Sequence, residues 1–179
     1  MKITVFGASK PKDGDPDYAA AYELGKLLAE RQHIVVTGGY MGTMEAVSRG
    51  ADEHGGHTIG ITCLEIENWR PTGANPWVRQ EIKQNTLLDR ITSLINTCDA
   101  AFALPGGTGT LTEVAVMWNL IGIQVIQPKP LVLIGAAWDS VMEQLFTQFD
   151  DYYSMEQRQH LIRVNSNLDA VNILEQFIQ

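Results

Sequence analysis

Pro105-Gly106-Gly107-Thr108-Gly109-Thr110-Leu111-Thr112-Glu113 puts three glycines, several hydroxyls and one carboxylate into nine residues. It follows an apolar run, Ala100 to Leu104, and leads into a helical pattern that starts near Leu111. Glycine has no Cβ wall, so backbone N–H groups can close on an anion and turn through positive φ. The helix that follows points the positive end of its dipole back at the same spot. Strand, glycine loop and helix N-terminus together hold a phosphate, which makes Gly106, Gly107, Thr108, Gly109 and Thr110 candidate ligands. The plainer use of these residues is a tight strand-to-helix turn with Thr110-x-x-Glu113 as a capping box. Glu113 fits both uses, because a carboxylate in the first helical turn lies beside whatever the loop holds.

A second junction of this kind lies upstream. His33 to Thr37 reads as a β-branched strand and ends in Gly38-Gly39-Tyr40-Met41-Gly42-Thr43-Met44, which leads into a helix to Glu53. A third, shorter one follows the strand Ile3 to Phe6, at Gly7-Ala8-Ser9. Junctions at the carboxyl edge of one parallel sheet face a common crevice. Gly7, Ser9, Gly38, Gly39, Gly42 and Thr43 thereby join the candidate phosphate and ribose ligands. Neither long loop fits the common nucleotide signatures. A P-loop needs Lys-Ser/Thr after its last glycine, and Gly109 is followed by Thr110-Leu111. The dinucleotide fingerprint G-x-G-x-x-G is not matched by Gly7-Ala8-Ser9-Lys10.

The rest of the chain supplies the frame. Asp15 as N-cap and Pro16 at the first helical position open a helix to about Gln32, its inward face being Tyr18, Ala21, Tyr22, Gly25, Leu28 and Ala29. The Asp13-Gly14-Asp15-Pro16-Asp17 run looks like the start of a calcium loop but has no distal Glu. Gly55-Gly56 turns the chain into a strand over Thr58 to Thr62; His54 and His57 beside it have no identifiable third ligand. Leu64 to Trp77 is the least regular stretch, a lid over the crevice or a long surface loop anchored by Trp69 and Trp77, with a short strand at Val78 to Ile82. Thr86 to Thr97 is a helix with the stripe Leu87, Leu88, Ile91, Leu94, Ile95 and a Thr86-x-x-Asp89 cap. Arg90 sits on the flank of that stripe, where it can snorkel to the surface or reach into the crevice; spacing alone favours the surface.

Leu111 to Gly122 is apolar nearly all round, which predicts a helix that is sandwiched or pairs with another subunit. A homodimer, or a higher assembly of dimers, with this helix at the interface is the expectation. Strands at Leu131 to Ile134 and Leu161 to Val164, and helices at Trp138 to Phe149 and Leu168 to Ile178, complete an alternating pattern. Alternation of this kind predicts a Rossmann-like α/β fold: a doubly wound, largely parallel sheet with helices on both faces, one domain over residues 1–179.

With 179 residues the chain can bury a core without staples. A net charge of −8, with seven Arg and six Lys scattered, argues against a nucleic-acid polymer as partner. A small phosphorylated ligand needs only loop N–H groups and one Arg. Cys63 and Cys98 are far apart and form no disulfide framework. With no signal-peptide pattern and no membrane-length apolar run, the expected location is the cytoplasm.

These residues resemble the LOG family, often labelled "possible lysine decarboxylase", whose characterised members include cytokinin riboside 5′-monophosphate phosphoribohydrolases. The hallmark P-G-G-x-G-T-x-x-E appears unbroken as Pro105 to Glu113, and Arg90 stands where the family places an Arg nine residues before Asp99. The stretch Gly38 to Met44 is similar to the second motif, Val5 to Ser9 to the opening strand and loop, and Trp118, Gly122 and Pro130 also match. The chain departs from the pattern at Ile91, where the hydrolases usually have Lys, and at Thr108 and Glu45. The decarboxylase label fails on chemistry, because no lysine sits in a recognisable pyridoxal phosphate setting.

The resemblance implies hydrolysis of the N-glycosidic bond of a nucleoside 5′-monophosphate, to free base and ribose 5-phosphate. Glu113 would stabilise an oxocarbenium-like transition state and Arg90 would orient it and assist departure of the base, with no metal and no cofactor. The alternative is a non-catalytic carrier of a nucleotide or phosphorylated cofactor, as in relatives that resemble molybdenum-cofactor carriers.

Overall fold

A computed structural model describes residues 1–177 of the chain. Seven short runs form its strands, largely apolar or β-branched except the polar edge strand β4: β1 (Lys2–Phe6), β2 (Ile34–Thr37), β3 (Thr58–Cys63), β4 (Gln80–Gln84), β5 (Ala100–Ala103), β6 (Leu131–Ile134) and β7 (Leu161–Val164). They pair in the order β4-β3-β2-β1-β5-β6-β7, and every pair is parallel. Ile3 lies between Val35 of β2 and Ala100 of β5. The chain therefore builds outward from β1 on one side, then returns to β1 and builds on the other. The loops after β1 and β5 part at this reversal, which opens a crevice at the carboxyl edge of the sheet.

Helices cover both faces, as a parallel sheet requires. On one face lie α1 (Pro16–Glu30), α2 (Thr43–Glu53) and α8 (Asn167–Leu174). Leu24, Leu28, Val47 and Val171 from these helices close over Ile3, Val35 and Phe102. On the other lie α4 (Leu87–Thr97), α5 (Thr108–Gly122) and α6 (Ala136–Gln148), where Leu94, Ile95, Met117 and Met142 pack on Val36, Ala101 and Leu133. Two short helices, α3 (Leu64–Trp69) and α7 (Met155–Gln159), stand outside these layers. The doubly wound parallel sheet expected from the alternating pattern is present. Among the described residues no helix is long and apolar enough to cross a membrane.

Several local expectations are corrected. The segment after Leu64 is not irregular throughout, since α3 occupies its first six residues. The strand expected at Val78 to Ile82 runs instead from Gln80 to Gln84, because Val78 turns inward against Gly60. Pro16 does open α1, but the Asp15 side chain accepts from the Lys12 N–H rather than capping the helix. The last helix ends at Leu174 and passes into a 3-10 turn, Glu175–Phe177; the expected terminus at Ile178 lies outside the described residues. Thr86 caps α4 by accepting from the Asp89 N–H at 3.1 Å.

The central loop also differs from its simplest sequence reading. Helix α5 begins at Thr108, with Gly107 at its N-cap, so Thr110 and Glu113 make no capping box. Starting three residues early turns both inward: Thr110 is 2% exposed and Glu113 7%. The helix is not apolar on every side in its packing. Val114, Met117 and Ile121 face the core, and the Trp118 Nε1 donates to the Gln157 carbonyl at 2.7 Å while its ring stacks on Tyr153. Leu111 is left exposed, as are Leu87 and Leu88 at the start of α4.

Candidate active site

The crevice is a cavity of about 820 Å³ at the carboxyl edge of the sheet. Its first wall is the loop Gly7 to Pro11 after β1, and its second is Pro105 to Thr110 after β5. Gly106 to Gly109 are exposed to it. N–H groups in the first turn of a helix have no partner inside that helix, so the start of α5 offers donors and its dipole to an anion there. The positions expected from sequence at Gly7, Ser9, Gly106, Gly107, Thr108, Gly109 and Thr110 all line this cavity.

The second glycine loop is placed differently. Gly38, Gly39, Gly42 and Thr43 are buried behind the cavity wall and do not line it. Thr43 donates to the Ala8 carbonyl twice, from its N–H at 2.8 Å and from its hydroxyl at 3.1 Å. Gly42 adopts φ +79°, and a Cβ there would strike the Ala8 carbonyl oxygen. Its glycine is required for the close approach of two backbones rather than for a phosphate. This loop shapes the first wall from behind.

Beneath both walls lie the two residues with the most pointed chemistry. Arg90 is 4% exposed, against the surface placement that spacing favoured. Its Nε donates to the Ile61 carbonyl at 2.7 Å and one terminal nitrogen to the Gly38 carbonyl at 3.2 Å. The other terminal nitrogen meets Glu113 Oε1 at 3.2 Å. The Tyr40 ring lies 5.6 Å from the guanidinium carbon. A planar fork of fixed donors suits such a site, since β3, the loop after β2 and helix α5 each take one direction. Burial pushes the Glu113 carboxyl up to about 7, with the charge and hydrogen bond of Arg90 opposing the rise. Glu113 lies four residues beyond Gly109, ~6 Å along the helix axis, about the depth of a ribose below a phosphate at the loop.

The sequence left the opposite wall open between a lid over the crevice and a long surface loop. Ile66, Trp69 and Arg70 line the cavity from α3 and its C-terminal end. Trp69 does not anchor the segment; it is 78% exposed, with the Arg70 guanidinium carbon 5.6 Å from its ring centre. Sequence reasoning missed Asn75. It is buried, and its Nδ2 donates to the carbonyls of Gly39 and Tyr40 at 3.0 and 2.9 Å, pinning the second glycine loop. An Asn four residues after a Pro in a loop carries no sequence signal for that task. His54 bonds its own helix through the Gly50 carbonyl, and among the described residues no group of three His, Cys, Asp or Glu could hold a metal ion.

With this geometry in place, comparison with known proteins gives the family. The model of the SLOG cluster4 family matches residues 1–165. This chain belongs to the SLOG cluster4 family. Among curated relatives, the cytokinin riboside 5′-monophosphate phosphoribohydrolase LOG2 of Arabidopsis thaliana is 26% identical over 181 aligned positions, covering 99% of this chain and 84% of the relative. Among solved structures, the molybdenum cofactor binding protein of Rippkaea orientalis superposes with a TM-score of 0.76 at 25% identity, covering 99% and 97% of the two chains. The molybdenum cofactor carrier protein of Chlamydomonas reinhardtii gives 0.73 at 26%, covering 98% and 96%. The LOG resemblance seen in the motifs is thus borne out. Proteins similar to this chain carry both enzyme and carrier names.

Proposed function

We propose that this SLOG protein is a nucleoside 5′-monophosphate phosphoribohydrolase. The observation that carries the proposal is the buried Arg90–Glu113 pair at the floor of a cavity walled by an exposed helix N-terminus. The phosphate is held by the N–H groups of Gly106 to Thr110 and by the loop at Gly7 to Ser9. The ribose then lies over Glu113. As the bond from C1′ to the base nitrogen breaks, positive charge grows on the sugar, and the Glu113 carboxylate stabilises it at short range. Water adds to C1′ and gives ribose 5-phosphate, while the base leaves with a proton. Arg90 holds Glu113 in place through three directional contacts and remains protonated throughout.

Glu113 must be ionised to do this, and burial makes the ionised form expensive until Arg90 offsets it. A carboxylate poised near neutral pH is the condition that favours catalysis over simple binding. The carrier reading draws on the two solved neighbours named for the molybdenum cofactor and on the size of the cavity, but it has no use for a buried ion pair. Two free, buried thiols, Cys63 and Cys98, fit a reducing compartment, and we place the enzyme in the cytoplasm. We further propose that the exposed Leu87, Leu88 and Leu111 cover one another across a homodimer. The direct test is incubation with a panel of nucleoside 5′-monophosphates, with chromatographic detection of free base and ribose 5-phosphate. Release of base from at least one of them supports the proposal. Tight binding of a monophosphate with no base released overturns it in favour of a carrier.

A further inference from the structure

We infer that Trp69 and Arg70 form the base-recognition wall of this crevice and that they select a 6-oxopurine, the base of guanosine or inosine monophosphate, over a 6-aminopurine. The inference rests on the phosphoribohydrolase reading and deepens it. Helix α3 follows β3, whereas the phosphate loop follows β5, and the two strands are three places apart in the sheet. Three spacings are ~14 Å, about the reach of a nucleoside monophosphate from its phosphate to the far edge of its base. A nucleotide with its phosphate at α5 and its ribose over Glu113 therefore brings its base to α3.

What waits there is chemically selective. Trp69 leaves 78% of its surface open beside the cavity, although a residue of that size is normally well covered. Purines stack on such a ring whatever their edge. Arg70 lines the same wall, its guanidinium carbon 5.6 Å from the Trp69 ring centre. A guanidinium donates in every direction and accepts in none. Guanine and hypoxanthine present two acceptors on one edge, O6 and N7, which match an Arg fork; adenine presents an amino donor at position 6. A guanidinium on this wall is satisfied by an acceptor edge and opposed by a donor edge. Stacking on Trp69 supplies affinity for any purine, and Arg70 supplies the choice among them.

The test is kcat/KM for base release from guanosine, inosine and adenosine 5′-monophosphates with the wild type, Arg70→Met and Trp69→Ala. Binding of the three nucleotides to Glu113→Gln gives a second measurement that needs no turnover. The wild type should prefer the two 6-oxo nucleotides by roughly 5- to 150-fold, the worth of one good Arg–base pairing. In Arg70→Met that ratio should collapse toward one. Because it is a ratio within one protein, a loss of folded material cannot mimic it. In Trp69→Ala all three substrates should weaken together by roughly 5- to 150-fold. Equal or better use of the adenosine nucleotide by the wild type overturns the selectivity and leaves the phosphoribohydrolase reading standing. Retention of the preference in Arg70→Met overturns the role of Arg70. Absence of binding by all three overturns the purine subsite, and release of base from another monophosphate of the panel then leaves the phosphoribohydrolase reading standing.

Discussion

Replacing Arg90 by Met keeps the length and bulk of the side chain and removes its charge and donors. Three partners lose a hydrogen bond at once: the Ile61 carbonyl, the Gly38 carbonyl and Glu113 Oε1. Removing one member of a buried ion pair typically costs ~3–5 kcal/mol, mostly from the charge left behind. Here that charge can be neutralised by a proton, which gives the loss a pH signature. The Glu113 carboxyl stands near 7 in the folded protein, above its ordinary 4.5, and without Arg90 it must rise further. A folded pKa above the unfolded one stabilises below the unfolded value and is lost as pH rises through the folded value. Between 4.5 and 7 wild type and variant lose this contribution together, because Glu113 is protonated in both folded states and ionised in both unfolded ones. Above about 7 the wild type stops losing stability and the variant continues, at about 1.4 kcal/mol per pH unit up to its own raised pKa. Urea denaturation of both proteins at pH 5.5 and 8.5 measures the difference. The deficit of Arg90→Met should be larger at pH 8.5 by about 1 kcal/mol or more. A deficit equal at the two pH values would refute the coupling between Arg90 and the Glu113 proton.

For base release by the wild type, kcat/KM should climb about tenfold per pH unit on the acid side and level off above about 7, as Glu113 ionises; a profile flat from pH 5 to 8 would remove Glu113 carboxylate from the mechanism. Gly42→Ala forces a side chain into φ +79° and against the Ala8 carbonyl, so chemical denaturation should show a loss of at least ~1–3 kcal/mol, and a neutral result would show that the two loops do not pack as described. Leu88→Glu, at a residue 71% exposed, should convert a dimer to a monomer in sedimentation velocity with little change in monomer stability. A wild type that is monomeric at micromolar concentration would overturn the proposed interface.

The sheet was legible because its inner strands are short β-branched or apolar runs, and glycines close behind β1, β2, β5 and β6 mark their carboxyl ends. The cavity residues from Pro105 to Thr110 were legible for the same reason. Arg90 was not, because a helical stripe shows which side is apolar but not that carbonyls from Ile61 and Gly38 wait on its flank to satisfy a guanidinium. The second glycine loop was misread for an equally physical cause. Glycine signals that something approaches closely, and at Gly42 the visitor is the Ala8 backbone rather than a ligand. Helix α3 left no periodic trace, since none of its six residues is buried. Its trace was compositional instead: a Trp-Arg pair in an irregular stretch close behind a strand end.

In the proposed mechanism Glu113 acts on the transition state rather than on ligand affinity. Glu113→Gln keeps the shape of the side chain and its bond to Arg90 while removing the charge. Single-turnover base release and equilibrium binding of the same nucleoside monophosphate, measured side by side in wild type and variant, separate the two roles. Loss of such an electrostatic contact typically costs ~2.7–4 kcal/mol, roughly 100- to 1,000-fold in rate. Glu113→Gln should show that fall in rate with affinity changed by less than about tenfold, since the substitution leaves in place the loop N–H groups proposed to hold the phosphate. A variant that loses affinity by the full factor, beside a wild type that releases no base from any monophosphate, would contradict that mechanism and leave Glu113 a recognition residue in a carrier.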